Sequence, residues 1–195
     1  EASRISVNSS DKFVPLVLPV VGVNSHVSPL VSIFQLGYKS PSRGYQDRDR
    51  ASRDLIAIGA ASNATKLDQA SESTVYFGLV MDGSWIVPQS FLTDLKIDLD
   101  TDLDGKTDIE LTNGSSGDVL ASGDITEREL ADDSYYTLVR NLKSDEYKLG
   151  GILNVFPSVK RDTSLLNNNV MVFSVKSSEL GLAVDDFSIQ YRFKN

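Results

Sequence analysis

Asp98, Asp100, Asp102, Asp104 and Asp108 put five carboxylates into eleven residues, with Gly105 between the fourth and the fifth. Carboxylates this close repel one another unless a cation neutralises them. Counted from Asp100, the acids fall at positions 1, 3, 5 and 9 of an oxygen-donor loop, with Gly105 at position 6, where the chain must turn sharply. The backbone carbonyl of Lys106 serves at position 7, and Asp108 binds directly or through water. The expected ligand set is therefore Asp100, Asp102, Asp104, Lys106 and Asp108. Oxygen-only donors on a flexible loop favour calcium, Ca2+, over magnesium. Asp98 lies just before the loop on the same strand face as Asp100. It either completes the shell or simply adds negative charge. The competing reading of the whole run is an acidic, solvated hairpin turn.

The flanks decide what kind of loop this is. Leu95, Ile97 and Leu99 alternate with Lys96 and Asp98, and Ile109 and Leu111 alternate with Glu110 and Thr112. Both are strand patterns, so residues 100–108 are expected to join two strands of a hairpin. Position 12 is Leu111 rather than a bidentate Glu, and no helices flank the loop, so it is not an EF-hand. A loop with ligands at 1, 3, 5, 7 and 9 between two strands resembles the calcium loops of integrin-type propeller blades, over the loop alone. The role expected for the metal is structural, because a catalytic metal needs an open position and a nearby base in a cleft.

Other chemistry finds little support. There are no cysteines, hence no disulfide framework, thiolate site or cysteine nucleophile. The single histidine, His26, sits in a Val/Ser/Pro-rich stretch with no acidic neighbour to orient it. No Gly-x-Ser-x-Gly elbow is present. Asp132-Asp133 and Asp185-Asp186 read as turn residues before strands, with a second calcium site as the sharper alternative. Trp85 is expected to be buried beside a turn; an exposed Trp85 in a row with Tyr135 or Tyr136 would instead suggest sugar binding.

The surrounding composition is that of an ordinary globular chain. The 195 residues are 41% hydrophobic and 24% charged, with a net charge of -8. That balance disfavours nucleic acid and anionic membranes as partners, and no apolar run is long enough to span a bilayer. The chain opens on Glu1 without a signal peptide, and is read as a piece of a larger protein or a mature product.

Short strands separated by Gly, Asn, Asp and Ser turns, with no long helical period, predict an all-β fold: an antiparallel β-sandwich, jelly-roll-like, carrying the calcium-binding hairpin. Expected strands cover 13–21, 29–36, 55–61, 75–81, 135–139, 152–156 and 170–175, and a last one carries Phe187, Ile189, Tyr191 and Phe193. Short helical turns are expected at 126–129 and 178–181. The expected organisation is an N-terminal β segment over 1–40, read alternatively as the end of a preceding fibronectin-like domain, a basic loop or linker over 41–53, and the sandwich over 54–195.

The order of motifs resembles a known family. Phe13-Val-Pro-Leu-Val-Leu-Pro19 is similar to the strand closing a fibronectin-like domain in large secreted bacterial subtilisin-like serine peptidases. Thr74-Val-Tyr-Phe-Gly-Leu79, Gly83-Ser-Trp85, Pro88 and the aspartate loop resemble the non-catalytic C-terminal β domain of those enzymes, and 162–172 with Leu180-Gly-Leu182 continue the likeness. The resemblance implies a secreted accessory domain with no catalysis of its own. Its partners would be the catalytic domain of the same polypeptide, an extracellular protein or a polysaccharide. The alternative is a carbohydrate-binding or adhesion module.

Overall fold

The computed structural model describes residues 32–63, 72–88, 93–115, 134–156, 161–162, 164–182 and 189–194. The chain divides into two compact units, Glu1–Ser32 and Ile33–Asn195, and every described strand belongs to the second. The expected strand at 13–21, the helical turn at 126–129, His26, Asp132-Asp133 and Asp185-Asp186 lie outside the described residues.

The second unit is an all-β sandwich of two antiparallel sheets. One sheet takes the order β1-β2-β3-β10, from β1 (Gln35–Lys39), β2 (Leu55–Ser62), β3 (Thr74–Met81) and β10 (Val170–Lys176). The other takes the order β11-β4-β5-β6-β7, from β4 (Lys96–Asp100), β5 (Ile109–Ser115), β6 (Tyr135–Asn141), β7 (Glu146–Ile152) and β11 (Gln190–Lys194). A small ribbon pairs β8 (Val155–Phe156) with β9 (Arg161–Asp162).

Period-2 patterning builds the core. Val75, Phe77, Leu79 and Met81 of β3 face Ile97, Leu99, Ile109, Leu111 and Val139 of the opposite sheet, with Met171, Phe173 and Val175 of β10 completing the layer. β3 lies between β2 and β10, and its second face is covered too: Tyr76 is buried and the Phe34 ring lies against Gly78. On β11 the expected alternation holds for the described part: Tyr191 and Phe193 pack on the core while Gln190 and Arg192 are exposed, and Phe187 lies outside the described residues.

Three segments depart from the sequence pattern. Of the strand expected over 29–36, residues 29–31 lie outside the described residues, 32–34 are not in a strand, and β1 begins at Gln35 as the edge of the first sheet. The basic stretch 41–53 is exposed at its arginines but also carries a helical turn, α1 (Arg48–Ala51). Asp47 Oδ1 accepts from the Arg50 N–H to cap it, and Ala51 and Ser52 are buried. The strand expected over 152–156 is broken at Asn154, whose φ is 59°. This fully buried side chain replaces ladder bonding: its Oδ1 accepts from the Val172 N–H, and its amide donates to Ser164 O and Val170 O. The turn at 178–181 is a 3-10 helix, Ser177–Leu180, closed by Gly181 with φ 72°.

Candidate metal centre

The hairpin that carries the aspartates forms as its flanks predict. β4 ends at Asp100, β5 begins at Ile109, and Leu99 lies opposite Ile109, with the Asp108 N–H donating to Leu99 O at 2.8 Å. Leu95, Ile97 and Leu99 are fully buried in the core. Asp98 and Asp100 therefore project from the other side of β4, yet they too are buried, at 3% and 8% exposure.

Within the loop each carboxylate uses one oxygen to brace the backbone. Asp100 Oδ2 accepts from the Gly105 N–H at 2.7 Å, and Asp102 Oδ1 from the Asp104 N–H at 3.2 Å. Asp104 Oδ1 accepts from the Lys106 N–H at 2.8 Å. Asp108 Oδ2 accepts from both the N–H and the hydroxyl of Thr101, at 2.8 and 2.9 Å. Gly105 turns the chain with φ 86°, and Leu103 also takes a left-handed φ of 61°.

These bonds draw Asp100, Asp102 and Asp108 together, so that one carboxylate oxygen from each lies within 4.8 Å of the others. Asp100 Oδ1 is buried and has no hydrogen-bond partner among the described residues. A buried carboxylate oxygen left bare costs free energy unless a cation or donor reaches it. Asp104 stands apart from this group: its second oxygen faces Lys106 Nζ at 3.2 Å, and both side chains are exposed. That pairing, led by the Lys106 N–H, holds the Asp104 carboxyl below its ordinary range. Lys106 meets the loop here through its N–H and ammonium.

Asp98, the open question of the sequence, lies outside the group of three. Its Oδ2 accepts from the Thr107 hydroxyl at 3.2 Å and lies 3.4 Å from Arg192 Nη2 of β11. It fastens the far arm of the loop to the sheet.

One residue invisible to local spacing dominates the electrostatics. Lys143, in the turn between β6 and β7, places Nζ 2.7 Å from Asp108 Oδ1 and 3.2 Å from Asp102 Oδ2. The Asp108 carboxyl is lowered to about 2, first by that ammonium and then by the Thr101 bonds working against burial. The Lys143 ammonium is raised to about 12, led by its bond to Asp108. The turn itself is pinned by Asn141 Oδ1, which accepts from the Lys143 and Ser144 N–H groups, and by the Leu142 N–H donating to Asp108 O at 2.8 Å. Nothing in the sequence signals Lys143, because β7 carries little apolar alternation; only once β4-β5-β6-β7 is in place do the first and third turns share one end of the sheet.

Trp85 is 2% exposed and its Nε1 donates to Leu165 O at 2.8 Å. Tyr136 is buried as well. The aromatic row that would favour sugar stacking is therefore not displayed. No helix among the described residues is long and apolar enough to cross a membrane. Compared with protein-family models, curated proteins and solved structures, the chain has no match.

Proposed function

We propose that the loop from Asp100 to Asp108 binds one structural calcium ion, and that the chain serves as a non-catalytic accessory domain of a secreted bacterial subtilisin-like peptidase. The observation that carries the metal reading is the convergence of Asp100, Asp102 and Asp108, of which Asp100 keeps a buried Oδ1 with no hydrogen-bond partner among the described residues. Asp104 and the Lys106 carbonyl complete the oxygen set, Asp104 by giving up its exposed contact with the Lys106 ammonium. Calcium suits this set because it accepts many oxygen ligands in flexible geometry. A structural role fits the location, where the β4–β5 loop meets the β6–β7 turn. The peptidase context rests on the order of sequence motifs along the chain.

Calorimetric melting in chelator and in calcium tests the metal. With calcium at about a hundred times its Kd, the melting temperature should rise by roughly 5–10 °C. Asp102→Ala, at an exposed position, should keep the metal-free fold and abolish that rise. A melt indifferent to both chelator and calcium would overturn the reading. The context is tested by the coding sequence on either side: a subtilisin-type Asp, His and Ser constellation in the same polypeptide is expected, and its absence would overturn the peptidase assignment.

A further inference from the structure

We infer that Lys143 is a tethered competitor of the metal: its ammonium holds the Asp102 and Asp108 oxygens in the metal-free protein and is expelled when a divalent cation binds. The inference rests on the metal reading above and concerns how that site is regulated.

Three observations carry it. First, the oxygens that Lys143 contacts are the ones the loop leaves over. Asp102 Oδ1 and Asp108 Oδ2 brace the backbone, while Asp102 Oδ2 and Asp108 Oδ1 face the ammonium. A calcium ion sits about 2.3–2.6 Å from each ligand oxygen. On those oxygens it would stand against an ammonium at 2.7 Å from one of them, and two cations so close repel strongly.

Second, the ammonium satisfies only part of the cluster. It reaches Asp102 and Asp108, whereas the buried Asp100 Oδ1 has no hydrogen-bond partner among the described residues. A divalent ion between the three carboxylates reaches all of them and brings twice the charge. The exchange therefore runs toward the metal once enough is present.

Third, Lys143 is free to leave without unfolding its turn. Its side chain is 69% exposed. The turn backbone is held separately by Asn141 Oδ1 and by the Leu142 N–H on Asp108 O. Only a flexible four-carbon stem has to swing into solvent. Lys143 thus keeps the acidic loop folded when calcium is scarce and sets the calcium concentration at which the site fills.

The test is calcium titration by calorimetry on the intact chain, comparing wild type, Lys143→Met and Lys148→Met. Lys148 is exposed on β7, so its substitution controls for net charge alone. Lys143→Met should bind calcium about tenfold more tightly or better, and Lys148→Met within about twofold of wild type. Thermal melting adds a second readout. Lys143→Met should melt below wild type in chelator and match it in saturating calcium. Equal affinities for the two variants, or a deficit in Lys143→Met that persists unchanged in saturating calcium, would overturn the inference and leave Lys143 a permanent strut. Failure of all three proteins, wild type included, to bind calcium would overturn the metal reading itself.

Discussion

Asp108 does two jobs with two oxygens. Oδ2 ties the start of the loop through Thr101, and Oδ1 meets Lys143 across the sheet end. Because its folded pKa is about 2 against an ordinary 3.8, the native state favours the carboxylate more than the unfolded chain does. The stability this confers is fully present above about pH 4 and is lost as pH falls toward 2. For the metal-free protein the contribution is about 1–2 kcal/mol, discounted because the Lys143 partner is largely exposed. Urea unfolding in chelator should show wild type more stable than Asp108→Asn by roughly that amount at pH 6, with the gap shrinking by pH 3. A gap that stays constant over that range would rule out the ionic part of the role. At this scale the sequence exposed the acids and their order, since ligand spacing is local. It could not show that Asp104 meets the Lys106 ammonium, nor supply Lys143. Those depend on which way the loop folds and on a residue 41 positions from Asp102.

At the scale of the element, the hairpin was legible because alternation on both arms fixes its register. β7 was not, because Glu146-Tyr-Lys-Leu-Gly-Gly-Ile152 carries little apolar signal and two glycines. The break at Asn154 was hidden by its apolar neighbours Ile152, Leu153, Val155 and Phe156. The loop's own requirement is conformational. Gly105 holds φ 86° with open space where a Cβ would project, so substitution there meets no clash. Gly105→Ala should consequently lose only about 1 kcal/mol, the cost of a left-handed side-chain-bearing residue, in metal-free unfolding. The same strain should weaken calcium binding, because the turn that folds the carboxylates inward is now disfavoured. An alanine variant as stable as wild type would show that the turn does not depend on glycine here.

For the whole molecule, strand density and alternation announced the all-β sandwich, but the sheet order depends on long-range pairing that no local pattern encodes. β10 illustrates this, arriving late in the chain to pair with β3, Phe173 directly opposite Phe77. It then passes close to β7 of the other sheet, joining the two sheets along that side; the Ser174 N–H donates to Thr137 Oγ1 of β6. The approach is possible because β7 has glycine at the contact. A Cβ on Gly150 would lie 2.9 Å from Ser174 O, 3.0 Å from Thr137 Cβ and 3.1 Å from Thr137 O. Two of those three atoms are backbone, so neither strand yields without shifting its partner. Gly150→Ala should therefore destabilise the sandwich by about 1–3 kcal/mol, as overpacking does. The melting temperature should fall by several degrees, roughly 2–4 °C per kcal/mol at this size. Calcium should still raise the melting temperature of this variant as much as that of wild type, because the loop carboxylates are braced by their own backbone and by Lys143 rather than by β10. A drop in stability accompanied by lost calcium response would mean that the metal loop is coupled to the sheet junction. An unchanged melt would mean that β7 and β10 do not pack this closely.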